Sequence, residues 1–196
     1  RRFQLETNPH NARPLLQVHG MQAVYFNPPA LPLAEGEMDG LYALPFVRAP
    51  HPRYRGQRIP AFETVKHSLV TMRGCFGGCS FCSITEHEGR IISSRSAGSV
   101  MAELRALSRQ AGFHGTVTDL GGPTANMYRM HCEDARFEHA CRKQSCVHPS
   151  ICEHLVTDHG PLIELMRQAR SAPGIKHVFI ASGVRYDLAQ RSPQFI

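Results

Sequence analysis

From residue 67 onward the apolar positions alternate between two rhythms. Residues 67–74, HSLVTMRG, form a short apolar, β-branched run that stops at glycine, which predicts a strand. In residues 96–112, Val100, Leu104, Leu107 and Ala111 fall on one helical face. Ser96 or Ser99 is placed to cap that helix, and Gly112 to stop it. Residues 115–122, GTVTDLGG, predict a second strand. Residues 158–174 predict a second helix, with Asp158 or His159 near its cap, Pro161 in the first turn and Pro173-Gly174 at its end. Residues 176–183, KHVFIASG, predict a third strand. Strands separated by crossovers of this length pair in parallel and cross over right-handed. Functional groups in such sheets gather beyond the carboxyl ends of the strands. RGCFGGCSFC, DLGGPT and ASGVRYD, which follow the three strands, should therefore meet on one rim.

Residues 1–66 behave differently, holding nine of the fourteen prolines. Proline lacks an amide donor and pushes its predecessor toward extended geometry, so 27–33, 44–56 and 58–62 exclude long helix and central strand. Only 21–27, MQAVYFN, predicts a strand. The segment reads as mostly irregular chain packed over something else, or as the end of an upstream domain. A start without Met and a stop at RSPQFI predict a segment of a longer protein.

The hydrophobic content of 42% suits a buried core. No apolar run approaches the ~18 residues of a membrane span, and no signal peptide opens the chain. Seven cysteines without an export signal predict a reducing, cytoplasmic setting, where clustered thiols read as metal ligands rather than disulfides. The net charge of +6 permits a nucleic-acid partner, but the basic residues are scattered and support none in particular.

Cys75, Cys79 and Cys82 are spaced C-x3-C-x2-C, with Gly77 and Gly78 between the first pair. Three thiolates suit three irons of a four-iron cubane and leave the fourth open. A zinc site that borrows a distant ligand such as His87 is the alternative. This spacing, with Phe81 just before the last cysteine, resembles the signature of the radical S-adenosylmethionine (radical SAM) superfamily. The resemblance implies a [4Fe–4S] cluster whose open iron takes SAM. It also implies reductive cleavage to a 5′-deoxyadenosyl radical, and an electron donor such as a flavodoxin or ferredoxin. DLGGPT resembles the glycine pair that meets the methionyl amino group, so Gly121 and Gly122 become cofactor-binding candidates. An acid that often follows that pair is replaced by Pro123. PFVRAPHPRY, IPAFETVKHSLVTMRGCFGGCSFCSITEHEGRIISSRS and SGVRYDL together resemble the YgiQ family of radical SAM proteins. That likeness implies the end of an N-terminal domain over residues 1–66. Over 67–196 it implies an α/β fold, the first half of a partial (β/α)6 radical-SAM barrel.

Residues 131–152, HCEDARFEHACRKQSCVHPSIC, interrupt the crossover between the second and third strands. They carry Cys132, Cys141, Cys146 and Cys152. Four thiols suit a closed site, tetrahedral zinc or an auxiliary iron–sulfur cluster, with His131, His139, His148 and His154 as substitutes. Free thiols on a surface excursion are the alternative. Beyond the third strand, Ser182 and Arg185 are cofactor candidates. Arg185 is placed to pair with the SAM carboxylate or with Asp187. Arg73 and Arg95 are similar candidates, and His87 and Glu88 could face substrate. The leading expectation is thus a radical SAM enzyme of unknown substrate. EHEGRIISSRSAGSVMAELRAL is also similar to methylthiotransferases, which modify RNA or protein. A non-catalytic zinc-binding nucleic-acid module is the contrasting reading.

Overall fold

Proline shapes the first third of the chain but leaves room for regular elements between the gaps. The computed structural model describes residues 2–196. After a single helical turn, α1 (Arg2–Leu5), the chain forms an antiparallel hairpin of β1 (Leu15–His19) and β2 (Gln22–Phe26). Helices α2 (Glu35–Tyr42) and α3 (Pro60–Val65) follow. Pro60 opens α3, where its missing amide would have no helical partner anyway. Pro28, Pro29, Pro32, Pro45 and Pro50 all fall between elements. The strand expected at 21–27 forms as β2, and its partner β1 and the helices α2 and α3 go beyond the expectation: prolines exclude element interiors, and here they occupy the gaps.

The remainder is built on three parallel strands. β3 (Ser68–Val70) leads through Thr71 into β4 (Met72–Arg73). The cysteine loop and α4 (Ile84–Glu88) follow, and β5 (Ser93–Ser94) returns antiparallel to β4. Helix α5 (Ala97–Ser108) crosses over to the middle strand, β6 (Thr116–Val117) and β7 (Asp119–Gly121). β7 lies parallel to β3, with Leu120 opposite Leu69. The Cys-rich excursion contains β8 (His131–Cys132), α6 (Ala135–Ala140) and β9 (Leu155–Val156), and β8 and β9 pair to close it at its base. Helix α7 (Gly160–Arg170) then leads to β10 (His177–Val178), which lies parallel to β6, and the short α8 (Tyr186–Ala189) follows. Amides of Thr118 and Leu120 reach the carbonyls of His67 and Phe179, which places 116–121 between the other two strands.

Both helix expectations hold. Ser96 caps α5 by accepting from the Ser99 amide at 3.0 Å, and Val100, Leu104 and Leu107 are buried. Leu162, Leu165 and Ala169 give α7 its buried face. These stripes cover Leu69, Val117, Leu120 and Val178 in one core. The opposite face of the strands stays open, with Ser68, Val70 and Asp119 half-buried and Phe179 54% exposed. The described residues form a mixed α/β fold with no closed barrel. No described helix is long and apolar enough to cross a membrane.

Candidate functional site

The cysteine loop is a closed device. Its first residue and its end are tied together by the Cys75 amide donating to the Gly89 carbonyl at 2.9 Å. Thr85 Oγ1 donates to the Cys75 carbonyl at 2.9 Å, and Glu88 accepts from the Gly74 amide. Inside the loop the Gly77 amide points at Cys75 Sγ, 3.4 Å away. A Cβ at Gly77 would stand 3.3 Å from Cys75 Sγ and 3.6 Å from Cys79 Sγ. The space it would fill is a cradle between two sulfurs. Gly78 has φ +60, and a Cβ there would strike the Gln144 carbonyl, so this position requires glycine for both conformation and close approach. Burial pushes the Cys75 thiol above its ordinary range, so metal binding here would displace a proton.

The other two strand ends meet this loop. Arg185 Nη1 lies 3.7 Å from Cys79 Sγ. Its Nε and Nη2 donate to Asp187 at 3.0 and 2.5 Å, a bond that holds the guanidinium pKa up and the Asp187 carboxyl below its ordinary range. Of the two expected partners of Arg185, Asp187 is engaged, and the third nitrogen faces the Cys79 thiol. Asp119 Oδ1 accepts from the Ala181 and Ser182 amides and from Ser182 Oγ, which turns the third strand's end inward. Gly121 sits directly under Ser182 Oγ. Its carbonyl already accepts from the Thr71 amide at 2.7 Å and from Thr71 Oγ1 at 3.1 Å. Gly122 packs on Met72, and a Cβ there would come within 2.8 Å of the Met72 carbonyl. The smallness of both glycines thus serves strand packing as well as any ligand. Phe81 is 92% exposed beside Cys82.

Two residues of this rim, Thr124 and Asn126, escaped the sequence reading. Thr124 Oγ1 lies 3.7 Å from Cys75 Sγ. Asn126, 1% exposed, brackets Arg185 by accepting from its amide at 2.8 Å and donating to its carbonyl at 2.9 Å. Asn126 Nδ2 also faces His159 Nε2 at 3.3 Å, while His159 Nδ1 donates to the Thr157 carbonyl. Burial lowers the His159 pKa, which matches this neutral tautomer. Two arginine candidates are corrected. Arg95 is fully buried and committed to Glu103, Ser99 and the Val70 carbonyl, with Tyr42 on its face. Arg73 is held at the surface by Tyr42 and Glu88.

The second cysteine group packs against the first. The Cys146 amide donates to the Phe76 carbonyl at 3.1 Å, and Ser145 Oγ donates to the Gly77 carbonyl at 2.7 Å. Cys132, Cys141, Cys146 and Cys152 all line one cavity of about 350 Å³, with Phe76 and Arg90 in its wall. The N-terminal segment closes it. Asn8 donates to the carbonyls of Glu138 and Cys141 at 2.7 and 2.8 Å, and Asn11 to those of His139 and Cys141. Glu6 joins Arg13 and Arg142. The Arg13 amide and guanidinium, then the Arg142 guanidinium, hold its carboxyl down to about 2. Burial raises the Cys132 and Cys146 thiols.

Residues 1–68 match the family described as Radical SAM N-terminal; the cysteine loop follows directly. A UPF0313 protein of Chromobacterium violaceum is 56% identical over 197 residues, covering all of this chain and 26% of its own. The UPF0313 protein YgiQ of Salmonella typhimurium is 57% identical over 192 residues, covering 97% of this chain and 27% of its own. That of Escherichia coli K12 is 56% identical over 192 residues, with 97% and 26% covered. The chain thus spans about a quarter of the length of these relatives. No solved structure matches it. With near-complete coverage of its residues by these relatives and a radical SAM N-terminal match, the chain belongs to the YgiQ (UPF0313) family.

Proposed function

We propose that this chain carries the cluster loop and part of the cosubstrate rim of a radical SAM enzyme. Residues 1–66 would be the end of an N-terminal domain, and 67–196 the first half of the catalytic barrel with an insertion at 131–152. Cys75, Cys79 and Cys82 would hold three irons of a [4Fe–4S] cluster. The donor set fits: three thiols on one closed loop, an amide aimed at sulfur, and a glycine cradle where a side chain would intrude. When bound, the cluster supplies an open iron for SAM and the electron that cleaves it to methionine and a 5′-deoxyadenosyl radical.

The protein's own groups do the positioning. Gly77 keeps the space between the sulfurs clear. Arg185 offers a guanidinium nitrogen for the SAM carboxylate while Asp187 and Asn126 fix its plane and its backbone. The Gly121 carbonyl is occupied by Thr71, so the Gly122 carbonyl is the acceptor left for the methionyl amino group. Ser182 is held at the rim by Asp119, and exposed Phe81 offers an aromatic face beside Cys82. The observation that carries the reading is Arg185 Nη1 at 3.7 Å from Cys79 Sγ, which joins the third strand's end to the first strand's loop. The substrate stays unassigned, and a flavodoxin- or ferredoxin-class donor would deliver the electron.

Electron paramagnetic resonance of the anaerobically reduced full-length protein tests this reading. A cluster signal that changes shape on adding SAM is expected, with that SAM-induced change lost in Cys82→Ala. A SAM-induced change that survives in Cys82→Ala would refute the assignment.

A further inference from the structure

We propose that Cys132, Cys141, Cys146 and Cys152 together ligate a second, fully coordinated [4Fe–4S] cluster, with Arg90 as its buried counter-cation. All four thiols face one 350 Å³ cavity. Arg90 is only 7% exposed, and it makes no ion pair among the described residues. The acceptors for its guanidinium are Cys141 Sγ at 3.6 Å and Cys146 Sγ at 3.8 Å. A buried cation without a carboxylate needs an anion in its place. Thiolates on a metal cluster supply that charge. Lys143 Nζ lies 3.3 Å from Cys152 Sγ and adds a second cation on the exposed side.

Sulfur spacing separates a cubane from zinc. A tetrahedral ion with metal–sulfur bonds of about 2.3 Å draws its sulfurs to about 3.8 Å from one another. Among the described residues only His10, Glu138 and His139 bring three such ligand atoms within 4.8 Å of one another; no three cysteine sulfurs do. A cubane seats each thiolate on its own iron at a separate corner, so its sulfurs stand further apart. Three of the four histidines that could have completed a zinc site face other partners. His131 bonds the Arg129 carbonyl, His139 stacks on His10, and His154 stacks on Phe137 and donates to Glu133. Four protein ligands leave no open iron, so this cluster would store an electron or hold the insertion folded, not bind a cosubstrate. Phe76 alone separates its cavity from Cys75 along the chain.

The assignment does not depend on the reading of the first loop, and its test removes that loop's ligands. Full-length protein carrying Cys75→Ala, Cys79→Ala and Cys82→Ala together is reconstituted anaerobically with iron and sulfide and assayed for iron, sulfide and zinc. About four irons and four sulfides per chain should remain, against about eight of each in the parent protein. Adding Cys141→Ala should remove them. Zinc without iron, or no metal in either protein, would overturn the proposal. Should the triple variant fail to fold, Cys141→Ala in the otherwise unaltered protein decides: it should hold about four fewer irons than the parent, and an unchanged iron content would overturn the proposal. Arg90→Gln should keep the iron and shift the reduction potential of the second cluster downward, since a nearby positive charge favours the reduced, more negative form. An unmoved potential would overturn the role of Arg90.

Discussion

The two cysteine groups solve opposite problems. The first lies where three parallel strands end, on a loop locked by its own backbone between Cys75 and Gly89. Its order comes from regular structure and from Gly77 and Gly78, and its three thiols leave room for an outside ligand. The second lies in an excursion with little regular structure, closed by the two-residue pair β8–β9. Its order comes from other regions: Asn8 and Asn11 on the Cys141 carbonyl, Glu6 on Arg142, Phe76 on Cys146, and Arg90 on two sulfurs. A scaffolded site can be incomplete and wait for a cosubstrate. On the proposed reading, an insertion without a core of its own gains further order when its four thiols hold a metal.

The junction between the groups is where this contrast breaks most easily. Gly78→Ala places an L-residue in the left-handed region, at about 1–2 kcal/mol. It also drives a Cβ into the Gln144 carbonyl, adding about 1–3 kcal/mol of overpacking. Denaturant unfolding should show a loss of about 2–5 kcal/mol, with iron lost from both groups. Gly112→Ala, whose φ is +83 but whose Cβ would meet nothing, should show only the conformational part and keep its iron. Equal losses in the two variants would mean that the insertion does not brace the loop.

A smaller effect sharpens the role of the rim. Arg185→Gln removes a charge-assisted contact of about 1.5–3 kcal/mol, so SAM affinity should fall about tenfold or more while iron content stays constant. Equilibrium binding and iron analysis check both halves. Unchanged affinity would leave Arg185 with Asp187 alone.

The smallest expected effect concerns pH and falls on the second group only. The Glu6 carboxyl is held at about 2, below its ordinary 4.5, by Arg13 and then Arg142. Its contribution is complete above about pH 4.5 and is lost as pH falls toward 2. Protection of the amides at 138–142, taken relative to their intrinsic exchange rate at each pH, should therefore fall on acidification. Glu6→Gln should flatten that dependence, without changing exchange at 75–89.

How much of this was legible in sequence follows from the same contrast. The Val100-Leu104-Leu107 stripe, the Ser96 cap and the alternation of strand and helix are local patterns, and the structure keeps them. Ala111 had the right spacing for the stripe but lies beyond the last helical turn, exposed. The cysteine spacing was equally visible, because the three thiols lie close together on one short loop. Arg90, Asn126 and Thr124 were not visible. Each is one polar residue in polar company, and only tertiary packing makes Arg90 a buried cation and Asn126 a bracket. The fate of Arg95 was invisible for the same reason: Glu103 and Tyr42 reach it from α5 and α2. In the third strand, regular pairing covers only His177–Val178 because Asp119 captures the amides of Ala181 and Ser182.

The central claim is that the three-thiol loop, and not the four-thiol cavity, is where SAM is opened. It is tested by measuring 5′-deoxyadenosine formed from SAM under anaerobic reduction, in the full-length protein and in its Cys79→Ala and Cys141→Ala forms. The account predicts product from the parent, a reduced but measurable amount from Cys141→Ala, and none from Cys79→Ala. Near-normal product from Cys79→Ala would contradict it.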